Sequence, residues 1–142
     1  MGNFIINEIF SDGYERWANV KDLKSGKMLN VYFLEYDEYL EGGVSKKRQK
    51  GDFITGVIKL SSVFLEEANV EGDLLFKQPI KNSPHLEAII EVLEVLDGFT
   101  IMAYLLDFKD PIEVDFETNT LEKMKVGAKI KITGALEVDI KK

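Results

Sequence analysis

Cysteine is absent from this chain. Disulfides, thiolate zinc sites, iron–sulfur clusters and cysteine nucleophiles are therefore excluded, and the core must hold itself together. Histidine occurs once, as His85, so a His-based triad would have to be built around Ser83-Pro84-His85, and no Gly-x-Ser-x-Gly elbow accompanies it. A Walker loop and a Gly-x-Gly-x-x-Gly turn are both missing, which removes the usual phosphate cradles. No run approaches the roughly 18 to 20 apolar residues that span a bilayer. The first residues, Met1 to Glu8, have neither the basic start nor the long apolar run of a signal peptide, and they do not fit the myristoylation pattern. The expectation is a soluble, cytoplasmic, non-membrane protein with no cofactor.

Basic charge is also short. With 25 acids against 18 bases in 142 residues, the formal charge is −7, which repels phosphate backbones on average and disfavours nucleic acid as a partner. The charge is unevenly spread. Leu86 to Glu117 holds nine acids against Lys109 alone, a net of −8, whereas Val44 to Lys59 holds Lys46, Lys47, Arg48, Lys50 and Lys59 against Asp52, a net of +4.

What is present is a succession of short runs rich in Ile, Val, Phe and Tyr, cut by Gly-containing turns. They predict strands over Asn3–Phe10, Tyr14–Leu23, Met28–Tyr36, Asp52–Ser61, Leu86–Leu96, Phe99–Phe108, Ile112–Glu117 and Lys129–Ile140. Asp12-Gly13 and Asp97-Gly98 are dipeptides that tolerate the positive φ of tight hairpins, and Lys24-Ser25-Gly26-Lys27 is a longer Gly-closed turn. Ile112–Glu117 and Lys129–Thr133 alternate apolar residues with acids and lysines respectively, so the two could pair with opposite charges facing. Ser83 to Glu94 also spells a helix start, with Ser83 as cap and Pro84 in first place. The β-branched Ile89, Ile90 and Val92 favour a strand there. Ser62–Ala68 reads as a second short helix or turn, and Asn69–Ser83 as a connector with at most one strand, at Leu74–Lys77.

The chain reads as a single compact all-β unit over 1–142; the alternative is two pseudo-repeats, 4–65 and 86–140, joined by the connector 66–85, although turn dipeptides and alternating strands recur by chance in any all-β protein. The two Asp-Gly turns superpose, and each half ends in a Gly-flanked phrase, Lys50-Gly51-Asp52-Phe53-Ile54-Thr55-Gly56 and Val126-Gly127-Ala128-Lys129-Ile130-Lys131-Ile132-Thr133-Gly134. The span Leu86–Ile140, a long first strand, a hairpin, a third strand and a closing strand after a glycine, resembles the OB-fold superfamily. The resemblance implies an OB-like Greek-key barrel, or two fused small β-barrels, with at most one or two short helices. OB-like barrels commonly bind oligonucleotides, oligosaccharides or proteins, and the fold does not choose among them.

Candidate chemistry is sparse. Asp107, Asp110 and Asp115 are oxygen donors of the kind calcium or magnesium takes, but the EF-hand spacing and its glycine are missing, so a solvated acidic face is expected and no metal. Nothing singles out a carboxylate pair for glycoside hydrolysis, and an enzyme is not expected. The basic loop Lys46, Lys47, Arg48 and Lys50, with Tyr14, Trp17, Tyr32, Phe33, Tyr36 and Tyr39 on nearby strands or loops, is the candidate binding surface, since single-stranded nucleic acid needs cationic side chains beside stacking faces; the plainer reading is a solubilising loop between strands. Trp17, alternating with charged neighbours, is more often a core residue than a ligand platform. The expected function is a non-enzymatic binding module with a protein partner; the alternative is single-stranded nucleic-acid or oligosaccharide binding.

Overall fold

Apolar residues at every second position bury one face of each strand and leave the other to solvent, and this rule organises almost the whole molecule. The structure is a computed structural model that describes residues 2–12, 14–35, 40–41, 44–45, 48–106 and 108–140, excepting the side chains of 12, 40, 41, 44 and 45. Eleven strands are present among the described residues: β1 (Gly2–Asp12), β2 (Glu15–Asp22), β3 (Met28–Leu34), β4 (Leu40–Glu41), β5 (Val44–Ser45), β6 (Phe53–Glu67), β7 (Leu75–Lys77), β8 (His85–Val95), β9 (Thr100–Tyr104), β10 (Ile112–Phe116) and β11 (Lys129–Ile140). A single 3-10 turn, Leu121–Lys123, is the one helical element among the described residues. The protein is all-β, and nine of its strands form one mixed sheet, with β4 and β5 as a separate pair.

Two units are distinguishable. The first comprises Met1–Ile58, Ile80–Pro84 and Glu137–Lys142, and the second Lys59–Pro79 and His85–Leu136. In the first unit β1 pairs antiparallel with β2, and β2 antiparallel with β3. β3 meets the end of β11 in parallel, through Tyr32 and Glu137, and the start of β6 returns antiparallel to β1, Gly2 opposite Gly56 and Ile5 opposite Phe53. Gly56 in turn lies against Val138 and Asp139, so these segments form a ring. Phe4, Ile6, Val20, Leu29, Val31, Phe33 and Ile54 fill it, each at most 1% exposed. Burial of such side chains supplies about 1.5–3 kcal/mol apiece.

The second unit follows the same order of pairings. β8 pairs antiparallel with β9, and β9 with β10; β10 runs parallel to the end of β6, Val114 opposite Leu60; the start of β11 returns antiparallel to β8, Lys129 opposite Glu91 through Ala135 opposite His85. Gly134 lies against Ser61 and Val63, completing a second ring of hydrogen-bonded strands. β7 adds to β8.

Several expectations are corrected. Ser62–Ala68 is neither helix nor turn, because β6 runs on through Glu67. The strand favoured over a helix in Ser83–Glu94 is, by contrast, present from His85, and its burial alternates strictly from His85 to Leu93, as period two demands and a helix would not. The Phe99–Phe108 strand is only Thr100–Tyr104, since the chain turns after it, with Phe108 N–H donating to Leu105 O. Ile112–Phe116 does not pair with β11; its neighbours are β6 and β9, and the base beside Asp115 is Lys59, 3.8 Å away. Gly98 is not among the residues with positive φ. Its turn is closed instead by Asp97 Oδ1, which accepts from Phe99 N–H and Thr100 N–H, and the missing Cβ makes room for the Asn119 amide. The other hairpin glycine, Gly13, lies outside the described residues.

Candidate functional site

β2 presents Arg16, Ala18 and Val20 to the interior of the first unit and Trp17, Asn19 and Lys21 to its outside. Arg16 is fully buried, and one of its terminal nitrogens donates to Glu15 O at 3.0 Å. Trp17 is therefore not a core residue. It is half-buried on the outer face, directly opposite Phe10 on β1 and Tyr32 on β3. Directly opposed residues share a face, so Phe10, Trp17 and Tyr32 form a row of three aromatic rings across three adjacent strands. Phe10 is 43% exposed.

A β-bulge makes this row. Ile6 pairs with Val20, but Glu8 pairs with Asn19, so Asn7 is an extra residue in β1. One extra residue reverses which face every later side chain takes. Phe4 and Ile6 are buried, and by simple alternation Phe10 would be too; after the bulge it faces out.

The next row along the same face is polar. Asn7 Nδ2 donates to Asn19 Oδ1 at 3.1 Å, and Asn19 Nδ2 donates to Asn30 Oδ1 at 3.0 Å. The three amides thus form a ladder parallel to the aromatic row, one side-chain repeat away on β2 and β3. Beside Phe10 and Trp17 an open cleft of about 270 Å³ is lined also by Asn82, Ser83 and Pro84. The asparagine ladder and Phe10 carry no signal that a sequence reading could use, because both depend on the register and the bulge.

The expected site residues are placed as follows. Tyr14 is 53% exposed at the turn into β2, and its carbonyl accepts from Glu35 N–H at 2.9 Å. Arg48 lies 3.3 Å from the buried Glu35 carboxylate, so its charge is engaged inside the first unit. Lys50 is exposed on the turn before β6, which is tied to β1 by Gly51 N–H donating to Ile6 O and Ile6 N–H donating to Asp52 O. Lys46, Lys47, Tyr36 and Tyr39 lie outside the described residues. The structure brings Trp17 together with Phe10, Tyr32 and the asparagines, and it places Arg48 with Glu35. Among the described residues no group of three or more His, Asp or Glu side chains is arranged to hold a metal ion, and no helix is long and apolar enough to cross a membrane.

Compared with family models, with curated proteins and with solved structures, the chain matches none.

Proposed function

We propose that this chain is a non-enzymatic, cytoplasmic binding module whose first unit takes a ligand across the outer face of β1–β3. The aromatic row Phe10–Trp17–Tyr32 carries this reading. Phe10 is exposed and Trp17 and Tyr32 are half-buried, so the row sets three rings in register on the outer face of the sheet with apolar edge left for a ligand to cover. The order of pairings in each unit, three antiparallel strands closed by a parallel and an antiparallel partner, supports an OB-like reading, and the face of the second and third strands is where such barrels bind elongated ligands. Because Trp17 is the single tryptophan and stands at the centre of the row, its emission reports occupancy. Titration with neutral hexasaccharides, decathymidylate and a proline-rich peptide should produce a saturable change with at least one of them. A Trp17 that responds to none removes the proposal.

A second reading, a protein partner, is favoured by the second unit. Leu96, Phe99, Leu121 and Val126 are each about half exposed or more. They share one end of that unit, because Thr120 N–H donates to Gly98 O and Val92 N–H to Ala128 O. Serine at Leu121 and Val126 should abolish recovery of a stoichiometric protein from native lysate, and unchanged recovery counts against this reading.

A further inference from the structure

We infer that the ligand of the β1–β3 face is a neutral oligosaccharide. This rests on the face being a ligand site at all, and adds the chemical class.

A pyranose has an apolar C–H face and a rim of hydroxyls, and the site has the matching halves. Trp17 and Tyr32 offer flat ring surfaces, while Asn19 and Asn30 follow them on the same face, two residues along each strand and so about 7 Å away. A sugar stacked on the rings would bring its hydroxyl rim to the amides. Each amide has two donor hydrogens and two acceptor lone pairs, which suits hydroxyls that both donate and accept. The Asn7–Asn19–Asn30 bonds fix the amide planes before any ligand arrives, which lowers the ordering cost of binding. Asn82 and Ser83 extend the same polar, uncharged chemistry around the cleft beside Phe10 and Trp17.

Charge separates this class from nucleic acid. Glu8 is in register with Asn19, and Glu15 lies two residues before Trp17, against Lys21 as the cation on the outer face of β2. Phosphodiesters would approach carboxylates on a chain of net charge −7, whereas sugar hydroxyls donate to carboxylates. Geometry separates it from a strand-adding peptide, which needs an open sheet edge, whereas β2 is hydrogen-bonded on both sides; a proline-rich peptide, which packs on aromatic rings without an edge, is left to the test.

The test is titration of the intact chain with cellohexaose, maltohexaose and chitohexaose, with decathymidylate and a proline-rich peptide as the competing arms. One or more hexasaccharides should shift Trp17 emission saturably, with an affinity that added salt leaves unchanged. Tyr32→Ala, Asn19→Ala and Asn30→Ala should each weaken it about tenfold. Trp17→Ala, read by calorimetry, should abolish it, while Phe53→Ser, on β6, should leave it unchanged, with dichroism confirming that each variant is folded. A response to decathymidylate or the peptide with none to the sugars overturns the class and leaves the ligand face standing. Sugar affinity untouched by the Tyr32 and Asn19 variants overturns the site. Silence from every probe overturns both.

Discussion

At Gly56 a single absent methyl group decides how two strands approach. A Cβ there would lie 2.5 Å from Asp139 O and 2.7 Å from Val138 Cγ1, so Gly56→Ala must push backbone against backbone and should cost about 2 kcal/mol or more. Gly26 is a different kind of glycine: its φ is 75° and nothing lies within 4 Å of a Cβ, so Gly26→Ala costs about 1 kcal/mol of backbone strain alone. Urea unfolding of the two variants should rank them in that order, and equal stabilities would mean that β6 and β11 yield easily at this point. Residue-scale detail of this kind also limited how well the site could be read. Trp17 stands next to Arg16, and apolarity alone would put the ring inside and the guanidinium outside; the opposite holds because Ala18 and Val20 fix the parity of β2. Phe10 was hidden by the bulge at Asn7, which no composition or periodicity announces. Tyr32 is among the stacking candidates legible in the sequence, but Asn19 and Asn30 join it only when the register places them beside Trp17.

β6 shows why strands were legible but their ends were not. Alternation fails at Ser62, which suggested that the strand stopped at Ser61. In the fold, Val114 faces Leu60 and Phe116 faces Val63, so β6 carries one more residue than β10 across that interval, and Ser62 takes φ 52° to absorb it. Leu60 and Val63 both stay buried although they are three apart. β-propensity would rank valine above serine and glycine at this position. The left-handed backbone predicts the reverse, since a β-branched side chain is strongly disfavoured there. Ser62→Val should lose about 1 kcal/mol or more, while Ser62→Gly, which trades strain for chain entropy, should be close to neutral. Equilibrium denaturation ranking valine as the most stable would show that no left-handed residue is required. β8 is the converse case: its helix-like start at Ser83-Pro84 is outweighed by the β-branched Ile89, Ile90 and Val92, and in the fold Leu86, Ala88, Ile90 and Val92 face one way.

The pairings of the two rings are the same list with two names exchanged. β1, β2 and β3 correspond to β8, β9 and β10; the start of β6 and the end of β11 close the first ring, and the start of β11 and the end of β6 close the second. The similar phrases after Lys50 and Val126 hinted at a correspondence between β6 and β11. Period-two patterning says which face of a strand is buried and nothing about which strand lies beside it, so the exchange could not be read in advance. It has a consequence for truncation. Ending the chain after Leu136 leaves every segment of the second unit in place, although the residues removed follow it directly in sequence. The first unit, whose other segments end at Pro84, instead loses Glu137, the parallel partner of Tyr32, and Val138 and Asp139, the neighbours of Gly56. Amide hydrogen exchange should therefore show protection falling in β1, β2 and β3 while β8, β9 and β10 keep theirs, since protection follows local cooperative units. Loss spread evenly over both sets, or confined to β8–β10, would contradict the assignment of the last strand segment to the first ring.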